Sequence, residues 1–254
     1  LVALGFVLIY KASGVFNFAQ GAMLFFAALT CVSLAGFGWP MWIAIAATVV
    51  IMYALGLTIE RVVLRPLVNQ PEISLFMATI GLAFFIEGLA QLMWGSGVKR
   101  LDLGIEDVPI ETVMTSFNLL VSKFDVTAAG ICALLVTGLA LFFSRTKVGR
   151  ALRAVADDHQ AALAVGIPLQ QIWGIVWGVA GFVAMVAGLL WGARNGVQFS
   201  LTFVALKALP VLILGGFTSV PGAIVGGLII GASEKLAEVY LGPFVGGGIE
   251  IWFA

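Results

Sequence analysis

Glu87 and Gln91 stand four residues apart in an otherwise apolar run, so on a helix they share one face. Asn17 and Gln20, followed at once by Gly21, form a second polar group just after the turn-prone pair Ser13-Gly14. Lys207, near Pro210, is a third isolated polar residue in apolar surroundings. Carboxylate, amide and ammonium groups of this kind can receive a zwitterion or relay a proton, but they do not compose a hydrolytic centre. His159 has no second His or Cys at ligand spacing, and Cys31 and Cys132 lie in separate apolar runs. Neither a metal site nor a disulfide is therefore expected, nor any cofactor or catalytic residue. The chain holds no G-x-x-x-x-G-K-[ST] loop, so any nucleotide hydrolysis would reside on another polypeptide.

The elements that must position these residues follow from composition. Of 254 residues, 61% are hydrophobic and only 10% charged, with a mean hydropathy of +1.12. A soluble domain carries about 25% charged residues, which excludes an ordinary soluble enzyme. Thirteen Lys and Arg balance thirteen Asp and Glu, so the basic excess of a nucleic-acid binder is missing. Membrane lipid is the expected solvent. A spanning helix needs about 20 mostly apolar residues, and the charges divide the chain into such runs. A partial span covers Leu1–Tyr10, and further runs cover Phe16–Ala35, Trp42–Ile59, Ile73–Trp94, Val126–Phe143, Ile172–Trp191, Phe199–Leu214 and Ala223–Tyr240, with a last one beginning near Phe244. The expected fold is all-α, a polytopic transmembrane helical bundle over residues 1–254, with about eight spans of which the first and last are truncated. Both ends of the chain are apolar, and neither reads as a natural boundary. Gly222-x-x-x-Gly226 and Gly227-x-x-x-Gly231 suit close helix packing, and Gly215-Gly216 and Gly226-Gly227 read as contact sites.

Polar groups at membrane depth are costly and point to function. Asn17 and Gln20 are expected either to cap a helix or to line a pathway, where helix N-termini would face a substrate carboxylate. Glu87 is expected to face a cavity or a donor, or to be hydrogen-bonded within the bundle. Lys207 would either neutralise Glu87 or snorkel toward an interface. Glu234, Lys235 and Glu238 share a turn and are expected to be solvated or locally paired.

Charge sets the orientation. The loop 144–171 holds Arg145, Lys147, Arg150 and Arg153 against Asp157 and Asp158, which places it in the cytoplasm. The loop 95–125, with Lys99, Arg100 and Lys123 against Asp102, Glu106, Asp107, Glu111 and Asp125, is then outside, as are the turn Gly36–Pro40 and Arg194, whereas Arg61 and Arg65 are inside. Trp39, Trp42, Trp94 and Trp191 fall at the outer interface and Trp173 and Trp177 at the inner one, as anchoring would require.

Within the cytoplasmic loop, Arg150–Val165 is rich in Ala, Leu and Arg and reads as one helix of about four turns. Leu152, Val155, Ala156 and Leu163 recur at helical spacing, and Gly166 and Pro168 terminate it. So short an element cannot cross the bilayer. It lies flat on the membrane or docks on a partner. The pattern Gln160-Ala161-Ala162-x-x-x-Gly166, followed by Ile167-Pro168, resembles the EAA loop of ABC-importer permeases, with Gln160 in place of the family's Glu. Gly14-Val-Phe-Asn17-Phe-Ala-Gln20-Gly21 resembles the INFAHG signature of the branched-chain amino-acid permeases, with Gln20 where His is common. Met77-Ala-Thr-Ile-Gly81-Leu and Leu214-Gly-Gly-Phe-Thr-Ser-Val-Pro221-Gly-Ala-Ile-Val-Gly226-Gly are similar to the same family in order and spacing. The likeness spans nearly the whole chain and is of the LivH type.

That resemblance implies a permease subunit in a bacterial inner membrane, working with a second homologous permease, two cytoplasmic ATPase subunits and a periplasmic or lipid-anchored substrate-binding protein. It further implies that Arg150, Arg153, Gln160, Ala161, Ala162 and Gly166 couple to the ATPase. Asn17, Gln20, Gly21, Glu87, Gln91 and Lys207 are the expected pathway residues. The rival expectation is an ion-coupled secondary transporter or channel acting alone, with Glu87 and Lys207 as its coupling groups; a third is a membrane subunit that only anchors partners.

Overall fold

Uninterrupted apolar runs in lipid must satisfy every backbone group internally, which selects helices. The computed structural model describes residues 1–67, 70–110 and 121–245, and of residues 72, 159, 160, 241 and 243–245 the backbone alone. Its helices are α1 (Val2–Ser13), α2 (Gln20–Gly36), α3 (Met41–Ile59), α4 (Glu72–Trp94), α5 (Lys123–Arg145), α6 (Lys147–Asp157), α7 (His159–Ala164), α8 (Leu169–Asn195), α9 (Val204–Gly215) and α10 (Val220–Val245). Five stretches among the described residues are long and apolar enough to cross a membrane: Met41–Leu67, Ile73–Trp94, Lys123–Arg145, Leu169–Asn195 and Val220–Tyr240. The apolar stretches Val2–Ser13, Gln20–Gly36 and Phe199–Gly215 are shorter. The result is an all-α polytopic bundle.

Three details differ from expectation. The second run starts its helix at Gln20 instead of Phe16. The run from Phe199 opens with a 3-10 turn, Phe199–Phe203, before α9 begins. No new helix begins at Phe244, because α10 continues through it to Val245; residues 246–254 of the expected last span lie outside the described ones, as does Glu111.

α8 is the central post, packed by α1, α2 and α3. It is apolar all round and buried over most of its length, as a helix in the middle of a bundle must be. Small residues let its neighbours approach. A Cβ built on Gly181 would lie 2.8 Å from the Met52 carbonyl oxygen, and one on Gly56 would lie 2.6 Å from that of Trp177. This centrality overturns one expectation: Trp173 and Trp177 are core residues, not interfacial anchors. Trp39, Trp42 and Trp191 are exposed, and Trp94 donates from Nε1 to Thr30 Oγ1 at 3.1 Å.

The two ends of the bundle have different characters. At one, the basic end, α6 packs beneath α1 and α8, and Arg61 and Arg65 line a pocket with Gln170 and Gln171. At the other, Lys99 and Val197 exchange backbone hydrogen bonds of 3.0 and 2.8 Å, and Arg194 pairs with Asp125 at 2.7 Å. The helices α9 and α10 form a tight hairpin, in which a Cβ on Gly226 would sit 2.8 Å from the Val211 carbonyl oxygen. Gly215 and Gly222 also meet backbone to backbone, so the first glycine of each doublet serves contact, whereas Gly216 turns the chain.

Candidate functional site

The first candidate region lies where two helices begin inside the bundle. α1 stops at Ser13, and Gly14 takes a left-handed φ of 70° that a side chain would resist. The chain then runs without helix until Gln20, whose Nε2 donates to the Ala180 carbonyl at 3.4 Å, near the middle of α8. A break at such depth exposes backbone groups that lipid cannot satisfy. The sequence supplies the replacements. Asn17 Oδ1 accepts from the Ala19 N–H at 3.0 Å, and Thr79 Oγ1 on α4 accepts from the Phe18 N–H at 3.4 Å, its one hydrogen shared between the Phe76 carbonyl at 2.9 Å and the Phe16 carbonyl at 3.2 Å. Asn17 Nδ2 also donates to Gln20 Oε1 at 3.2 Å and lies 3.8 Å from Met23 Sδ. Asn17 and Gln20 are both fully buried.

Gly21 joins this region to a second break. A Cβ there would overlap the Thr202 carbonyl oxygen and lie 2.9 Å from Ala205 Cβ. The start of α2 and the start of α9 therefore face each other across a glycine. Thr202 is a buried polar residue of that junction that sequence reasoning missed. Its signal is slight, a Thr closing the Phe-Ser-Leu-Thr-Phe turn.

Glu87, Gln91 and Lys207 do not join this cluster. Glu87 and Gln91 are half-buried on α4, and among the described residues neither side chain has a hydrogen-bond partner. Lys207 finds its carboxylate elsewhere: Nζ lies 3.4 Å from Glu234 Oε1 on α10, with side-chain exposures of 29% and 26%. The pairing follows from the α9–α10 hairpin, which carries Lys207 alongside Glu234 and away from α4. Lys235 pairs locally with Glu238 at 2.6 Å.

The second candidate region is the loop at the basic end. Here the expected single helix is two, because Asp158 is extended (φ −156°, ψ 112°) and splits the element. The physical reason is capping. The Asp158 carboxylate accepts from the Ala161 N–H at 3.0 Å, a bond it can make only by leaving the helix it ends. The break also reorients the second piece. Leu152 and Val155 are buried against the bundle, but Leu163 is 56% exposed and Val165 76%, so Leu163 does not continue the apolar face of α6.

The corner that carries this element is closely built. Thr146 Oγ1 donates to the Phe142 carbonyl at 2.7 Å and accepts from the Gly149 N–H at 3.1 Å. A side chain on Gly149 would collide with the Phe143 carbonyl, and Arg153 Nη1 donates to that same oxygen at 2.7 Å. Arg153 thus braces the corner, while Arg150 is exposed. Ala162 is buried and Ala161 exposed; the side chain of Gln160 lies outside the described residues. Gly166, at φ 82°, ends α7, with the Ile167 N–H bonded to the Ala162 carbonyl at 3.0 Å.

One further group escaped sequence reasoning. Glu60 is only 3% exposed in its side chain and is held by Arg65, 34% exposed, through Nε at 3.2 Å and Nη2 at 2.9 Å. The two are five residues apart, and the π turn Glu60–Leu64 brings them together. A regular α-helix brings together residues three or four apart, and a π turn does so at five.

Residues 1–246 match the family model described as branched-chain amino acid transport system, permease component. The chain is 30% identical over 252 residues to the high-affinity branched-chain amino acid transport system permease protein BraD of Pseudomonas aeruginosa, covering 94% of this chain and 82% of that one. It is 29% identical over 253 residues to the corresponding protein LivH of Escherichia coli K12, covering 95% and 82%. A more distant likeness, 30% over 169 residues, covers 65% of this chain and 46% of the autoinducer 2 import system permease protein LsrC of Escherichia coli O9:H4. No solved structure matches. The chain is a multi-pass membrane transport subunit, not an enzyme, and it belongs to the family of permease components of branched-chain amino acid transport systems.

Proposed function

We propose that this permease carries branched-chain or closely related amino acids across the cytoplasmic membrane, driven by two ATPase subunits that dock at the basic end. In this reading a second permease subunit completes the pathway, and a substrate-binding protein delivers the amino acid to the opposite end. The observation that carries it is the bent element Lys147–Ala164. Its first helix packs on α1 and α8 and buries Leu152 and Val155, while Arg150, Leu163 and the Val165 that follows it are exposed. Exposed apolar groups flanked by a cation are what a soluble partner's cleft would cover. Arg61, Arg65, Arg145, Lys147, Arg150 and Arg153 at this same end support its cytoplasmic placement.

For the pathway, the buried Asn17–Gln20 pair and Gly21 hold the junction where α2 and α9 begin, and Glu87 and Gln91 lie on a different helix. Asn17 and Gln20 act as positioning residues: they keep two helix N-termini at mid-membrane, where dipoles favour an anionic group. Lys207, already matched by Glu234, serves the α9–α10 hairpin.

The test is uptake of radiolabelled leucine, isoleucine and valine by vesicles holding the full-length permease with its neighbouring gene products. Uptake should survive collapse of the proton gradient and stop when the ATPases carry hydrolysis-dead substitutions. A Leu163→Cys variant should cross-link to an ATPase. Uptake that follows the proton gradient and ignores the ATPases would select the ion-coupled alternative, and no uptake under either condition would leave an anchoring subunit.

A further inference from the structure

A groove follows the seam between α3 and α8 on the outside of the bundle. Its upper part, about 550 Å³, is apolar and lined by Val49, Val50, Tyr53, Val179 and Phe182, with Phe142 of α5 as a side wall. One helical turn further toward the basic end lies a pocket of about 440 Å³ whose lining, still largely apolar through Leu57, Val62 and Ile175, also holds Arg61, Arg65, Gln170 and Gln171 beside Glu60. The two parts adjoin along the same elements: Tyr53 and Leu57 are successive turns of α3, Arg61 follows in the π turn Glu60–Leu64, and Phe182, Gly178, Gly174 and Gln171 descend α8.

Length decides what such a groove fits. The apolar stretch from Phe182 to Gly174 rises about 12 Å, and the hydrocarbon core is about 30 Å thick, so one leaflet is about 15 Å. A partner's transmembrane helix would need contact through both leaflets, whereas a lipid needs one. Charge decides the kind of lipid. Arg61 is exposed and has no carboxylate partner among the described residues, and Arg65 is held in place by Glu60 through Nε and Nη2, leaving Nη1. Two guanidiniums against one carboxylate give the pocket a net positive charge, and two exposed amides add donors.

We propose that this groove binds one anionic phospholipid from the leaflet at the basic end. An acyl chain lies along Val49, Tyr53 and Val179, and the phosphate sits between Arg61, Arg65 and the glutamine amides. The site is independent of which solute the permease carries.

The experiment is native mass spectrometry of the full-length permease, purified from vesicles made with phosphatidylglycerol or with phosphatidylcholine alone. Wild type should retain phosphatidylglycerol and lose phosphatidylcholine. Arg61→Gln should weaken phosphatidylglycerol retention about fivefold, the effect of one basic residue near a lipid surface. Val179→Trp, which fills the apolar part, should abolish it, and Arg145→Gln, at the same end but outside the groove, should leave it as in wild type. Monodisperse size-exclusion profiles and unchanged helical circular dichroism establish that the variants are folded. Equal retention of both lipids, an equal loss in Arg145→Gln, retention unchanged in both groove variants, or a Thr58→Cys cross-link to another protein in native membranes would each overturn the proposal.

Discussion

Replacing Asn17 by alanine removes two hydrogen bonds at once and leaves both partners stranded in a dry interior. The Ala19 N–H loses its acceptor at 3.0 Å and Gln20 Oε1 loses its donor at 3.2 Å. Each stranded buried group costs about 1–3 kcal/mol, for a raw total of about 2–6 kcal/mol. Interhelical hydrogen bonds in membranes average about 0.6 kcal/mol because the unfolded chain also finds partners, so a loss of about 2–3 kcal/mol is expected. Gln20→Leu strands Asn17 Nδ2, which keeps the Met23 thioether at 3.8 Å as a weak acceptor, and gives up the long 3.4 Å bond to the Ala180 carbonyl, a mid-helix oxygen that keeps its helical donor; it should cost about 1 kcal/mol. The double variant has no stranded glutamine oxygen, so its cost should fall about 1 kcal/mol short of the sum. Unfolding in mixed micelles, followed by tryptophan fluorescence, measures all three. If Asn17→Ala proves no more damaging than Gln20→Leu, or if the two changes simply add, the hydrogen-bond account of the α1–α2 break is wrong.

Other outcomes are expected. Exchanging Lys207 and Glu234 should restore the folded yield lost in either reversal, about 2 kcal/mol for a pair intermediate between surface and buried cases; exchanging Lys207 with Glu87 should restore nothing. Arg65→Met should destabilise by about 3 kcal/mol because it leaves Glu60 charged and buried, whereas in Glu60→Gln the partly exposed Arg65 can turn to water, so the loss should be clearly smaller; equal losses in thermal melts would contradict this. Gly166→Ala should cost about 1–2 kcal/mol for its left-handed backbone and uncouple ATP hydrolysis from uptake, while Gly166→Asn, which tolerates that conformation, should retain most of the coupling.

Much of this bundle could be read directly from the order of residues. Apolar runs between charges gave the long helices, and Gly166-Ile-Pro168 marked the end of α7, because those signals are local. What stayed hidden depends on residues far apart in sequence or on local geometry that departs from 3.6 residues per turn. Lys207 and Glu234 meet only because α9 and α10 fold back on each other. Glu60 and Arg65 meet only through a π turn. Trp173 and Trp177 were misread because tryptophan near a helix end suggests an interface, and nothing local reveals that α8 is enclosed by α1, α2 and α3. The split at Asp158 was legible in principle. Asp157-Asp158 is a poor helix interior and a good start, but the alanines on either side masked it.

The corner at Thr146 has a mechanical consequence. Its hydroxyl rivets the last turn of α5 to the first turn of α6, and the Arg153 guanidinium clasps the same joint. Torque applied to the stub cannot be absorbed by slack at the elbow, so α5 behaves as a stiff oar of 23 residues, about 35 Å long. A rotation of about 10° at the handle would sweep the blade on the order of 6 Å. That stroke is more than twice the 2.7 Å separating Arg194 from Asp125 on the blade's tip, and it would unlatch them on the far side of the membrane.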